Sequence, residues 1–116
     1  MNIPVHILYR PIGPGEFAII VKFGYRKFPP RMPYQPIFNP VTNEEYACDL
    51  VQSWSVNEST SGYVTRFAAR EDFIAKYPAL QVDVWGHTEH WIPAEDLPAF
   101  NRNIVGLIDV IASFER

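Results

Sequence analysis

Apolar and polar residues alternate over residues 5–10, which predicts a first strand with Val5, Ile7 and Tyr9 on one face and His6, Leu8 and Arg10 on the other. Residues 11–15 hold two prolines and two glycines and read as a turn. Residues 16–23 then carry Phe17, Ile20 and Val21 at helical spacing, with Gly24 placed as a C-terminal stop. Residues 28–40 mix prolines with large apolar groups. Helix is excluded there and central-strand pairing disfavoured, so an ordered extended loop with a short strand at Ile37–Phe38 is expected.

Residues 42–54 give the clearest helix. Thr42-Asn43-Glu44-Glu45 is a capping-box pattern, the Thr42 hydroxyl serving the Glu45 amide. Tyr46, Ala47, Leu50, Val51 and Trp54 form its apolar stripe. A polar loop over 56–61 leads to an alternating strand over 63–69 and a short helix over 71–77, stopped by Pro78. Residues 80–85 and 87–93 read as two strands joined tightly at Gly86, a hairpin-like arrangement. One or two helical turns over 93–103 carry Leu97 and Phe100, with Pro98 near a start, and a strand over 105–114 closes the chain. The class is α+β: two main helices and a mostly antiparallel sheet of about five or six strands.

At 116 residues the chain suffices for one domain spanning 1–116 and not for two. A net charge of −3 disfavours a nucleic-acid binder that relies on a broad basic field. The single cysteine, Cys48, permits no intrachain disulfide, and the N-terminal run has no basic region or cleavage pattern. No apolar stretch reaches membrane-spanning length. A cytoplasmic protein is the expectation. Walker-type, G-x-G-x-x-G, G-x-S-x-G and C-x-x-C motifs are absent. His87 and His90 would point to opposite faces of a strand, so no metal is expected.

The segment with most chemistry is His87-Thr88-Glu89-His90-Trp91-Ile92-Pro93. On a strand, His87, Glu89 and Trp91 share a face, and a carboxylate two residues from an imidazole is an acid/base or ribose-binding pair. An ordinary surface strand with an exposed glutamate satisfies the same pattern.

The element order, with a first strand ending in Tyr9-Arg10, a capped helix after Phe38-Asn39-Pro40-Val41-Thr42 and a late Glu89-His90-Trp91-Ile92-Pro93, resembles the ADP-ribosyltransferase fold. The chain is also similar end to end to small bacterial proteins labelled "ADP-ribosylation/crystallin", through Tyr9-Arg10-Pro11-Ile12-Gly13, Pro40-Val41-Thr42-Asn43-Glu44-Glu45-Tyr46-Ala47 and Phe100-Asn101-Arg102-Asn103-Ile104-Val105-Gly106 among others. The transferase resemblance implies NAD as substrate. Glu89 then stands at the catalytic carboxylate, His87 at the residue upstream of it, and Arg10 at the first-strand position that contacts NAD. Asn39-Pro40-Val41-Thr42 stands where the fold has Ser-Thr-Ser.

On that reading Glu89 binds the ribose hydroxyl and stabilises oxocarbenium charge, and Arg10 holds a phosphate or ribose. Tyr34, Tyr46 or Trp91 stacks on nicotinamide, Thr42 helps shape the pocket, and His87 activates an acceptor. Arg31 in the proline-rich loop serves equally as an anion contact, and a strand-end Arg10 is equally an ion-pair partner. The competing reading is a non-catalytic nucleotide- or protein-binding module on the same fold, with a homodimer joined through exposed aromatics and the proline-rich loop as one form of it.

Overall fold

The computed structural model describes residues 3–57 and 61–114. In chain order the elements are β1 (Val5–Ile12), α1 (Pro14–Lys22), β2 (Ile37–Phe38), α2 (Glu44–Asn57), β3 (Gly62–Arg70), α3 (Glu71–Ile74), β4 (Ala79–Gln81), β5 (Thr88–His90), β6 (Ile92–Pro93), a 3-10 turn at Ala94–Asp96, α4 (Leu97–Arg102) and β7 (Ile104–Phe114). The class is α+β with antiparallel strands, as the pattern predicts. The central sheet runs β1-β3-β7, and β3 pairs antiparallel with both neighbours.

Val41 extends this sheet. Its amide donates to the Tyr9 carbonyl at 2.8 Å and its carbonyl accepts from the Tyr9 amide at 2.9 Å. Its other edge forms an antiparallel bridge with Glu89, flanked by the His90 amide on the Pro40 carbonyl and the Thr42 amide on the Thr88 carbonyl. The β4-β5 hairpin therefore hangs on β1 through one residue of a loop. The pairing of β2 with β6, Ile37 opposite Pro93 and Phe38 opposite Ile92, is in the same register as Val41 opposite Glu89. Residues 36–42 and 88–94 are thus one antiparallel ribbon, interrupted where Asn39 faces Trp91 and where Pro40 has no N–H to donate.

Successive β1 residues point to opposite faces, and each face has its own core. Leu8 and Ile12 join Phe28, Phe38, Phe67 and Phe100 in the larger one, where the Phe28 ring lies 4.9 Å from Phe67 and 5.1 Å from Phe38. The smaller core is Val41, Ala47, Val51 and Val64, beneath α2. Phe28 also pins the proline-rich loop: its amide donates to Asn101 Oδ1 and its carbonyl accepts from Asn101 Nδ2, both at 3.0 Å.

Several boundaries differ from the sequence reading. Pro11 and Ile12 continue β1 rather than turning, because the strand is paired on only one side beyond Tyr9 and a proline is tolerated there. Pro14 opens α1, as prolines do in a first turn. Of the predicted stripe in α1, Ile20 is buried and Val21 is exposed. That helix ends in a Schellman pair: the Gly24 amide donates to the Val21 carbonyl and the Tyr25 amide to the Ile20 carbonyl, with both residues at positive φ. In α2 the cap is Asn43, whose Oδ1 takes the Tyr46 amide at 2.8 Å. The Thr42 hydroxyl is instead 2.6 Å from that of Thr88, across the ribbon. Residues 56–57 of the predicted polar loop belong to α2, and 58–60 lie outside the described residues. The predicted strand 80–85 is only Ala79–Gln81, since Asp83 organises a turn. The helix predicted over 71–77 closes at Ile74, followed by turn residues.

Gly62 is a close-approach glycine. A Cβ there would lie 2.5 Å from Val51 Cγ1, so a side chain would push α2 off β3. Gly62→Ala is expected to cost about 1–3 kcal/mol in chemical denaturation. Gly15→Ala, in α1 with open space around it, is expected to stabilise by about 0.5 kcal/mol.

Candidate functional site

The break in the ribbon places Glu89 at the site. Its side chain is buried, and Oε1 accepts hydrogen bonds from Asn39 Nδ2 and from Trp91 Nε1, both at 3.1 Å. Asn39 and Trp91 face each other across the interruption, so the irregularity turns both donors onto one carboxylate oxygen. Among the described residues no cation forms an ion pair with Glu89. A buried carboxylate is normally paired. This one is held by neutral donors.

Two cavities open on Glu89. One, of about 230 Å³, lies between β1 and α2 and is lined by Arg10, Arg31, Asn39, Val41, Trp54 and Glu89, among others. The other, of about 300 Å³, includes Gln35, Ile37 and Trp91. Arg31, Asn39 and Glu89 line both. Arg10 and Glu89, drawn from opposite ends of the chain, therefore do face one cleft.

The two arginines differ in availability. Arg10 is buried and committed: its Nε and Nη2 donate to Glu16 Oε2 and Oε1 at 2.8 and 3.0 Å, and its guanidinium stacks 4.6 Å from the Phe38 ring centroid. This bidentate pair forms because α1 begins one residue after β1 ends, bringing Glu16 back over the strand. Arg31 is not so satisfied. Its Nε is buried without a hydrogen-bond partner. Burial, then the neighbouring positive charge of Arg10, lowers its pKa, against a smaller opposing effect of Glu16. A guanidinium remains protonated under any such shift, so Arg31 brings a cation with an unused donor to the cleft.

The remaining predicted residues do not gather in one place. Trp91 touches Glu89 directly and stays about half exposed at 48%. Thr42 is spent on Thr88. Tyr34 stands 76% exposed and lines neither cavity. His87 precedes β5 rather than lying on it. Its Nδ1 is 2.5 Å from Asp83 Oδ2, and its ring stacks on Tyr46 with centroids 4.1 Å apart and planes 9° from parallel. The Tyr46 hydroxyl has its pKa raised by burial and then by the negative charges of Glu89 and Asp83. Tyr46 thus belongs to the separate Asp83–His87 group and lines neither Glu89 cavity. His90 is buried, with Nδ1 2.6 Å from the Tyr77 carbonyl. The Cys48 thiol has its pKa raised by burial and by Glu44, Asp49 and Glu45, which keeps it protonated and unreactive at neutral pH.

Sequence reasoning did not select Asn39 or Glu16 as site residues, and it assigned the anion contact to Arg10 with Arg31 as the alternative. The signal for Asn39 was present as the Asn39-Pro40 step, which must break a ribbon. Glu16 at the start of a helix after a strand-end arginine carried a similar hint. Among the described residues no three His, Cys, Asp or Glu side chains converge as a metal site. No described helix is long and apolar enough to cross a membrane. No protein-family model, curated protein or solved structure matches the chain.

Two outcomes test this geometry. Glu16→Gln strands the buried Arg10 guanidinium and is expected to cost roughly 3 kcal/mol in urea denaturation. The Asp83 turn gives a pH dependence. Burial opposes ionisation of Asp83, but hydrogen bonds from the His87 ring and from the His87 and Trp85 amides outweigh it and hold the carboxyl below its ordinary range. A pKa lowered on folding adds stability above the unfolded value and loses it as pH falls through the folded one. Asp83→Asn is therefore expected to lower the thermal midpoint at neutral pH and to flatten its decline below about pH 4.

Proposed function

We propose that the chain binds a ribose phosphate, a nucleotide of the NAD class, in the cleft between Arg31 and Glu89. One observation carries this reading. A buried carboxylate held by neutral donors and a guanidinium with an unpartnered buried nitrogen face the same cavities without pairing to each other. A sugar hydroxyl donating to Glu89 and a phosphate oxygen accepting from Arg31 would satisfy both at once. Trp54 and Trp91, one in each cavity, supply apolar faces for a base or nicotinamide ring. Arg31 takes the anion-binding role that the transferase resemblance gives to Arg10, since Arg10 is neutralised by Glu16.

ADP-ribosyl transfer from NAD is the second reading, favoured by one feature. Both donors to Glu89 converge on Oε1, so Oε2 is left for a ligand. In such a reaction the carboxylate would stabilise the positive charge that develops on the ribose as nicotinamide leaves. His87 lines neither cavity, so an acceptor-activating role for it would need the β4-β5 turn to approach the cleft.

Calorimetric titration with NAD, ADP-ribose and ADP tests the binding, with nicotinamide release measured in parallel. Saturable binding of at least one ligand is expected. Arg31→Ala should weaken it by about tenfold or more, the loss of one charge-assisted contact. Glu89→Gln should weaken ribose-bearing ligands and abolish any nicotinamide release, with an unchanged melting profile. Absence of binding by all three ligands would remove the proposal, and binding without release would leave the nucleotide-binding module alone.

A further inference from the structure

A cavity larger than either of those at Glu89 lies where the proline-rich loop crosses α4. It measures about 490 Å³. Its apolar lining comes from Phe23, Phe28, Pro30, Leu97 and Pro98. Phe28 and Leu97 are each 1% exposed and belong to the main core, so they back the cleft from behind, while Phe23, Pro30 and Pro98 supply its accessible apolar wall. The paired hydrogen bonds between Asn101 and the Phe28 backbone fix its two walls to each other.

Its charge is one-sided. Arg26, Lys27, Arg31 and Arg102 line it, and no acidic residue does. The whole chain has only ten lysines and arginines and a net charge of −3, so four cations on one cleft run against the overall balance. Among the described residues none of the four is in a salt bridge. Asp96, in the turn beside the cleft, accepts a hydrogen bond from the Tyr77 hydroxyl at 2.8 Å instead of neutralising them. Lys27 rests over the Phe23 ring, with Nζ 4.6 Å from the centroid, which places a charge directly above an apolar wall.

We infer that this cleft is a second binding site, for a small amphiphilic organic anion: an apolar ring or chain seated against Phe23, Pro30 and Pro98, and a phosphate or carboxylate head among Lys27, Arg31 and Arg102. The volume lies in the range of small-molecule sites. An apolar ligand alone would leave four like charges uncompensated, and a bare anion would leave the apolar floor wet. A polyanion such as nucleic acid needs an extended basic track, which a concave pocket in an acidic chain does not offer. Arg31 also lines both Glu89 cavities, so the two sites are neighbours that share one cation.

Titration of the full chain with naphthyl phosphate, followed by amide NMR and calorimetry, tests the inference. Naphthol and inorganic phosphate serve as the separated halves of the probe. Saturable binding that shifts Phe23, Leu97 and Asn101 is expected, with each half at least about tenfold weaker. The exposed pair of substitutions Lys27→Ala and Arg102→Ala should weaken it by about tenfold with an unchanged melting profile, and added salt should weaken it further. Glu89→Gln should leave it unaffected, which separates this site from the proposed nucleotide cleft. The inference falls if naphthol or phosphate alone binds as well as the conjugate, if the double variant binds like wild type, or if Glu89→Gln abolishes binding. It also falls if the chain ignores the soluble probe and binds only phosphatidylglycerol vesicles, because the cations would then mark a membrane surface.

Discussion

One residue, Val41, joins the β4-β5 hairpin to the central sheet. Its amide and carbonyl are both given to Tyr9 on β1, and its other edge faces Glu89. Glu89 reaches the cleft through that bridge, because β4 and β5 pair only with each other and with this loop among the described residues, whereas Trp91 is also held by the pairing of β6 with β2. The bridge is short because Pro40 precedes it. The ribbon resumes at Phe38, but the step between is open, and that opening is where Asn39 and Trp91 turn inward. The cleft is therefore a consequence of backbone chemistry. A ribbon that must skip a donor at a proline exposes the groups on either side of the gap.

The charges around the opening follow from competition for partners. Glu16 is within reach of β1 and takes both ends of the Arg10 fork. Glu89 is held by an amide and an indole, and among the described residues it forms no ion pair. Arg31 arrives on a loop whose path is set by Phe28 and Asn101, not by its own guanidinium, and so comes to rest partly buried and incompletely bonded. Such an arrangement costs stability that a fully paired core would keep. Its offsetting terms are the aromatic packing around Phe28, Phe38, Phe67 and Phe100 and the burial of Ile92 and Leu97 nearby.

Much of the fold is legible from local signals. The Ile37–Phe38 strand, the Gly86 hairpin, the stop at Gly24 and the burial of Leu97 and Phe100 all rest on patterns a few residues long. What local pattern misses is set by partners far away in sequence. Asn43 displaces Thr42 as the cap because Thr88, brought alongside by the ribbon, takes the Thr42 hydroxyl. His87 lies outside the strand, in a turn where Asp83 accepts its backbone amide and pairs with its ring. At the site, Arg10, Glu89 and Trp91 can be picked out by residue type and position. The preference for Arg31 over Arg10 cannot, because it depends on how Glu16 is oriented by a helix start and on a loop anchored by Asn101, seventy-three positions away from Phe28.

The Schellman end of α1 has an effect beyond its own helix. Tyr25, carried through positive φ, presents its carbonyl to the Ile108 amide at 2.8 Å. Ile108 lies midway along β7, an eleven-residue strand whose sheet partner is β3. An edge of that length with Leu107 and Ile111 exposed is a template on which another chain can add. By occupying a donor near its centre, the loop divides the free edge into two short stretches, so resistance to edge-to-edge aggregation is coupled to how a helix on the other side of the sequence terminates.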